Sequence, residues 1–182
     1  MQRQNIDSGN AFDWGKTSQD YGKFRDIYPP LFYQKIVERN CGTAGQEVLD
    51  IGTGTGVLPR NMYRFGAHWT GIDIAPNQIA EAKRLSAGME ISYLVSPAEE
   101  LDFAGKQFDC ITACQCYWYF DNQKAAPVFA RLLKPHGELL LLCMEWLPYS
   151  DKIAEASEKL VLQYNPKWSG AGETKHPISV AP

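Results

Sequence analysis

Residues 48–59 read VLDIGTGTGVLP, an apolar run that ends in an acid, Asp50, and then opens into three glycines at alternate positions, Gly52, Gly54 and Gly56. A buried strand that breaks into such a turn before a helix is the usual doorway of a nucleotide-type site. Glycine lets the backbone turn sharply and approach a ligand with no Cβ between them, and the helix start offers N–H donors. The spacing here is G-x-G-x-G. The dinucleotide fingerprint G-x-G-x-x-G would need glycine where Val57 stands, and a phosphate-cradling loop would end in Gly-Lys-Ser/Thr, which TGVL lacks. An acid two residues before the first glycine would repel a pyrophosphate, yet it suits a ligand carrying positive charge.

Outward from this loop, apolar runs alternate with helical stretches. Strands are predicted at 47–51, 68–74, 90–95, 108–114 and 138–144, with helices at 29–40, 58–66, 76–88 and 122–134. This alternation predicts an α/β fold, a doubly wound, Rossmann-like parallel sheet with helices on both faces. The near-continuous apolar strands imply that both faces are covered. In such a sheet the ligand lies beyond the carboxyl ends of the strands, beside the first one, where the glycines fall. Asp73, closing the second strand, is placed to accept both hydroxyls of a ribose. Together the two acids and the loop describe a nucleoside of cationic character without a phosphate.

At this point the sequence resembles the class I S-adenosylmethionine-dependent methyltransferases over roughly residues 20–145. VLDIGTGTG matches the family's first-strand motif, and Asp73 in GIDIAPNQI its ribose-binding acid. Further similarity lies in SPAEEL, in FDCITACQCYWYFDN and in LLKPHGELLLL, where His136 replaces a glycine of the family's turn. The resemblance implies S-adenosyl-L-methionine as cofactor, held by Asp50, Gly52, Thr53, Gly54 and Gly56 and by Asp73 with Ile74. It also implies that Ala98 or Glu99 lies near the adenine and that Cys114 reaches the pocket. YGKFRDIYPP is similar to a segment in small-molecule methyltransferases in which Tyr21 and Arg25 would approach the methionine part, making residues 1–30 a cofactor-covering segment.

Methyl transfer is an in-line displacement from a sulfonium, which is already a good leaving group, so alignment and exclusion of water matter more than a base. His68 and His136 precede strands and fall at the opposite end of the sheet, and His176 lies in the tail, so the catalytic residue is left unassigned. Tyr117, Trp118 and Tyr119 sit at the productive edge and are candidates for an apolar acceptor pocket, with mutual packing as the alternative. Cys110, Cys114 and Cys116 have no metal-ligand spacing, so no metal is expected. The base-methylating motif Asn/Asp/Ser-Pro-Pro-Tyr/Phe is missing after the fourth strand, which favours a small-molecule acceptor over nucleic acid. Alternatives are a non-catalytic S-adenosylmethionine-binding domain, a truncated methyltransferase, or a nicotinamide-dependent oxidoreductase, the last disfavoured by Val57.

The 182 residues suit one domain, with a loop-rich tail at 165–182. With 18 Lys and Arg against 21 Asp and Glu, the formal charge of −3 gives no broad attraction for nucleic acid or a membrane surface. The polar N-terminus lacks a signal-peptide core and the longest aliphatic run is short, so a cytoplasmic location is expected. Five cysteines, Cys41, Cys110, Cys114, Cys116 and Cys143, are therefore read as thiols. The family's sheet has seven strands, yet only five are legible before a final amphipathic helix with Ile153, Ser157, Leu160, Val161 and Tyr164 on one stripe. The expectation is that the tail covers the edge of the fifth strand, that a homodimer forms through it, or that the chain is a shortened enzyme.

Overall fold

The computed structural model describes residues 14–25, 28–144 and 147–168. Five parallel strands, β1 (Glu47–Ile51), β2 (His68–Asp73), β3 (Ile91–Val95), β4 (Phe108–Cys114) and β5 (Leu133–Leu142), lie in the order β3-β2-β1-β4-β5. Helices α1 (Ser18–Phe24) and α2 (Pro30–Glu38) precede the sheet. Helices α3 (Val57–Met62), α4 (Pro76–Leu85) and α5 (Asn122–Leu132) occur between strands, and α6 (Lys152–Tyr164) follows them. The doubly wound fold is as expected, and no sixth or seventh strand occurs among the described residues.

Local chemistry sets the helix starts. Proline opens α2 and α4, where its missing N–H is no loss and its fixed φ is already helical. Asp121 caps α5 by accepting the Gln123 N–H at 3.2 Å. Side-chain alternation along the strands then divides the core. Val48, Trp69 and Cys110 join Tyr33 and Ile36 of α2 and Leu58 and Met62 of α3 in one cluster. Leu49, Ile51, Ile72 and Ile111 join Ala125, Phe129 and Leu132 of α5 in another. Burial of each large side chain, such as Phe129 or Ile36, contributes roughly 1.5–3 kcal/mol.

Three features depart from the sequence reading. The covered-on-both-faces expectation holds for the central strands but not for the edges: in β3 only Tyr93 is buried, and in β5 only Leu140. Strand β5 begins at Leu133, five residues early, because Leu133 pairs with Phe108 before residues 134–137 loop out and Glu138 resumes pairing at Cys110. Third, Cys41 and Cys110 form a disulfide rather than two thiols, with Cα atoms 6.0 Å apart. The turn after α2 and the interior of β4 bring the pair together across 69 residues of sequence.

By contacts the chain falls into two compact units, residues 1–142 and 143–182. The second holds α6, capped by Asp151, which accepts the N–H groups of Ile153 and Ala154 at 2.9 and 2.8 Å. Its expected stripe is not buried: Ile153 and Tyr164 are 76% and 79% exposed, and Leu160 and Val161 are exposed as well. The tail expected to cover β5 lies, from residue 169 on, outside the described residues, as do residues 1–13 of the N-terminal segment and His176. Among the described residues no helix is long and apolar enough to cross a membrane, and no cluster of His, Cys, Asp and Glu is placed to hold a metal ion.

The disulfide makes a direct prediction. Thiol titration of denatured, unreduced protein should find three reactive cysteines, Cys114, Cys116 and Cys143, and five after reduction. Five thiols before reduction would show that Cys41 and Cys110 are unlinked.

Candidate cofactor and acceptor site

Beyond the carboxyl ends of the strands opens a cavity of about 400 Å³, within the usual range for small-molecule sites. Its floor is the turn after β1. Gly52 and Gly56 are closed from behind: a Cβ on Gly52 would lie 2.7 Å from Cys116 Sγ, and one on Gly56 would run into the Tyr93 hydroxyl. Gly54 is the opposite case. It lines the cavity with φ +56°, and a Cβ there would meet no atom within 4 Å.

The turn keeps this shape because β2 holds it. The Thr53 N–H donates to the Ile72 carbonyl at 2.8 Å, and the Gly54 N–H donates to Asp73 Oδ2 at 2.9 Å. Asp73 Oδ1 accepts the Ala75 N–H at 2.8 Å, at the entry to α4. Burial pushes the Asp73 carboxyl up, and these backbone donors pull against it. One carboxylate therefore shapes the loop, starts the next helix and lines the cavity, with lone pairs left for a vicinal diol.

Of the other residues read from the sequence, Tyr21, Arg25, Gly52, Ile74, Ala98 and Glu99 line the same cavity. The Arg25 guanidinium lies 5.4 Å from the centre of the Tyr21 ring. Helix α1, which carries Tyr21, packs closely on α4: a Cβ on Gly22 would approach Leu85 Cδ1 to 2.9 Å. Glu99 Oε1 accepts the Asp121 N–H at 2.9 Å, fixing the turn after β3 to the start of α5. Cys114 also lines the cavity, and its thiol donates to the Tyr28 hydroxyl at 3.3 Å.

Asp50, Thr53, Gly56 and Tyr117 are not on the cavity wall. Asp50 is 2% exposed and accepts the Thr112 hydroxyl at 2.6 Å, across the β1–β4 pairing that sets these residues side by side. Burial raises its pKa to about 6. Thr53 is turned into the protein, and Gly56 backs onto Tyr93. The aromatic turn divides its labour: Tyr117 packs edge-on against Phe120, with ring centres 6.1 Å apart, while Trp118 and Tyr119 line the cavity. Packing and pocket-lining are both present, in different residues of the turn.

Sequence reasoning missed Gln78, Ser96, Pro97, Gln115, Cys116 and Phe120. Ser96, Pro97, Gln115 and Cys116 immediately follow strand ends, and Gln78 lies in the first turn of α4, so the place of these residues at the productive edge was the available signal. His136 is not on the cavity wall; it lies in the looped-out segment of β5 with a left-handed φ of +67°.

The residues suit S-adenosylmethionine. A glycine with open space above it would let a nucleoside come close to the backbone, Asp73 would offer a carboxylate to its ribose, and Ile74, Pro97 and Ala98 add apolar surface to the same wall. Among the described residues no lysine lines the cavity to meet a phosphate, and the one arginine on its wall, Arg25, stands beside the Tyr21 ring.

The buried Asp50 yields a pH prediction. Its raised folded-state pKa means that the native protein binds the extra proton between about pH 4 and 6, so the cost of burying the ionised form is felt above that window. Asp50→Asn keeps an oxygen for the Thr112 hydroxyl and removes the charge. It should stabilise the protein by on the order of 2–3 kcal/mol at pH 8 and by little at pH 4. Thermal melts giving equal effects at both pH values would show that Asp50 does not titrate in this way.

Comparison with known proteins bears on the same region. A family model described as a methyltransferase domain matches residues 49–141, just over half of the chain. The ubiquinone biosynthesis O-methyltransferase of Salmonella paratyphi A is 32% identical over 154 residues, 80% of this chain and 63% of that protein. The chain thus spans less than two thirds of the length of the curated relatives it matches. Among solved structures, a protein of Methanococcus maripaludis assigned as an S-adenosyl-L-methionine-dependent methyltransferase superposes with a TM-score of 0.67 at 19% identity, covering 87% of this chain and 76% of that one. A methyltransferase of Geobacter sulfurreducens in complex with S-adenosyl-L-homocysteine superposes with a TM-score of 0.57 at 21% identity, over 71% and 55% of the two chains. These structural similarities establish the fold, and with the sequence match they show that the chain belongs to the class I S-adenosylmethionine-dependent methyltransferase family.

Proposed function

We propose that this chain transfers the methyl group of S-adenosylmethionine to an oxygen of a small, flat, largely apolar acceptor. The observation that carries the reading is a single cavity with an Asp73-held glycine loop on one side and an aromatic wall of Trp118, Tyr119 and Phe120 on another. Oxygen as the accepting atom is supported by relatives named as O-methyltransferases. When bound, the cofactor supplies an electrophilic methyl group on a sulfonium. Asp73 would hold the ribose hydroxyls, Gly54 would admit the nucleoside, and Pro97 and Ala98 would flank the adenine. Tyr21 and Arg25 would close the outer side, and the aromatic wall would exclude water and align the acceptor.

No step assigned to the protein requires a strong base. Among the described residues the carboxylates on the cavity wall, Asp73 and Glu99, each accept a backbone N–H as part of the loop framework, and an acceptor that is nucleophilic on its own account needs no base from the protein. That same observation supports the second reading, a cofactor-binding domain without turnover. Methyl-labelled S-adenosylmethionine offered with catechol, indole and thiophenol separates the two: labelled O-methyl product from catechol is expected, and cofactor binding without transfer to any acceptor would favour the non-catalytic reading.

A homodimer through β5 belongs to the proposal as well. Strand β5 is hydrogen-bonded to β4 on one side only among the described residues, with Leu139 exposed, and natural proteins seldom leave such an edge bare. Light scattering should return twice the monomer mass, and a monomer would exclude the dimer. The Cys41–Cys110 disulfide weighs against the cytoplasm, where disulfides are rare.

Gly54→Ala should separate cofactor binding from folding. Its Cβ enters open cavity, so affinity for S-adenosylhomocysteine should fall at least about tenfold, while the left-handed φ costs about 1–2 kcal/mol of stability. Unchanged affinity by calorimetry would remove Gly54 from the cofactor site.

A further inference from the structure

We propose that Gln115 orients the methyl acceptor, through its side-chain carboxamide, at the junction between the cofactor loop and the aromatic turn. This rests on the methyl-transfer reading above. Gln115 immediately follows β4 and lines the cavity with a backbone φ of +58°. Left-handed conformations are rare for residues other than glycine, with asparagine, aspartate and histidine the main exceptions, and they cluster at functional sites when the surroundings enforce them. Among the described residues three others share the feature, and each has a plain local reason. Asn40 ends the turn after α2, Ala104 precedes a glycine in a turn, and His136 lies where the pairing of β5 with β4 shifts register. Gln115 is the one of the four on the wall of this cavity.

The surroundings hold the segment from three directions. The Cys114 thiol donates to the Tyr28 hydroxyl, the Cys116 thiol donates to the Ile51 carbonyl at 3.1 Å, and the Gln115 N–H donates to the Leu142 carbonyl at 2.9 Å. Cys116 lies directly against Gly52, and Trp118 is two residues further on. Gln115 thus stands between the floor that would carry the cofactor and the wall that would carry the acceptor. Glycine at this position would satisfy the backbone at lower cost. The presence of a long carboxamide instead points to use of the side chain. A carboxamide offers an acceptor oxygen and two N–H donors without charge. It can fix a hydroxyl or carbonyl on a flat ligand at any physiological pH while leaving the ligand's proton in place.

The test compares Gln115→Gly, which removes the side chain and relieves the backbone, with Gln115→Leu, which keeps bulk and loses the hydrogen bonds. Each protein is loaded with S-adenosylhomocysteine, and binding of catechol, indole and 4-aminophenol is followed by saturation-transfer NMR, alongside melting temperature and cofactor affinity. The expected result is that wild-type protein binds at least one probe and both variants bind it about tenfold more weakly. Cofactor affinity should stay within about twofold, and Gln115→Gly should melt no lower than wild type. Probe binding retained in Gln115→Leu or Gln115→Gly would overturn the role of the carboxamide. A joint fall in melting temperature and cofactor affinity in Gln115→Gly would overturn it in favour of a structural role. Wild-type protein that binds S-adenosylhomocysteine but none of the probes would overturn the flat-acceptor reading itself, and the inference with it.

Discussion

The Asp73 carboxylate, accepting the N–H of Gly54 with one oxygen and the N–H of Ala75 with the other, is the interaction on which the site depends. Without it the glycine turn would have three residues of unusual freedom and little to choose among their conformations. The register of the sheet makes the contact available: Ile51 pairs with Ile72, so the first loop residues leave β1 beside the last residue of β2. Close packing beneath the loop adds a second constraint. A Cβ on Gly71 would lie 2.8 Å from both Thr53 Oγ1 and the Tyr93 ring, so β2 must be bare there for the turn to settle on it. Strand register thus becomes loop shape, and loop shape becomes a cavity floor.

A division of labour follows across that floor. Residues after β1, β2 and β3 supply the surface suited to a nucleoside, and the turn after β4 supplies aromatic rings and a carboxamide. The turn itself is anchored at both ends. Cys116 reaches back to β1, and the Glu99–Asp121 contact ties its far end to the loop after β3, while Phe120 rests edge-on against Phe129 of α5. These contacts hold the turn after β4 in place from both sides. In the proposed function such a wall would act by alignment and desolvation and would favour acceptors that are nucleophilic on their own account.

The fold was legible because its strands are short apolar runs bounded by glycine, proline and polar turns, and helices α2, α4, α5 and α6 start on proline or a capping acid. Strand β1 and the ends of β2 and β4 fall where the residues predict. What escaped depends on long-range packing. Asp50 reads as a partner for a cationic ligand, yet alternation along β1 turns it away from Leu49 and Ile51 and sets it against Thr112 of β4, where burial dominates. The Cys41–Cys110 bond joins residues that no local pattern connects. Edge exposure was hidden because an apolar strand such as ELLLL looks the same whether or not a neighbour covers it. Gln115 left no trace in composition or period; only its place just past β4 pointed to the cavity, and its left-handed backbone shows in the structure alone.

The central claim is that the Asp73-held loop forms the floor of a site for S-adenosylmethionine. Isothermal titration of the wild-type chain with S-adenosylhomocysteine, and separately with NAD, tests it most directly. Saturable one-to-one binding of S-adenosylhomocysteine, abolished or strongly weakened in Asp73→Ala, with no heat from NAD, is the expected result. Binding of NAD in its place, or S-adenosylhomocysteine binding that is indifferent to Asp73→Ala, would contradict it.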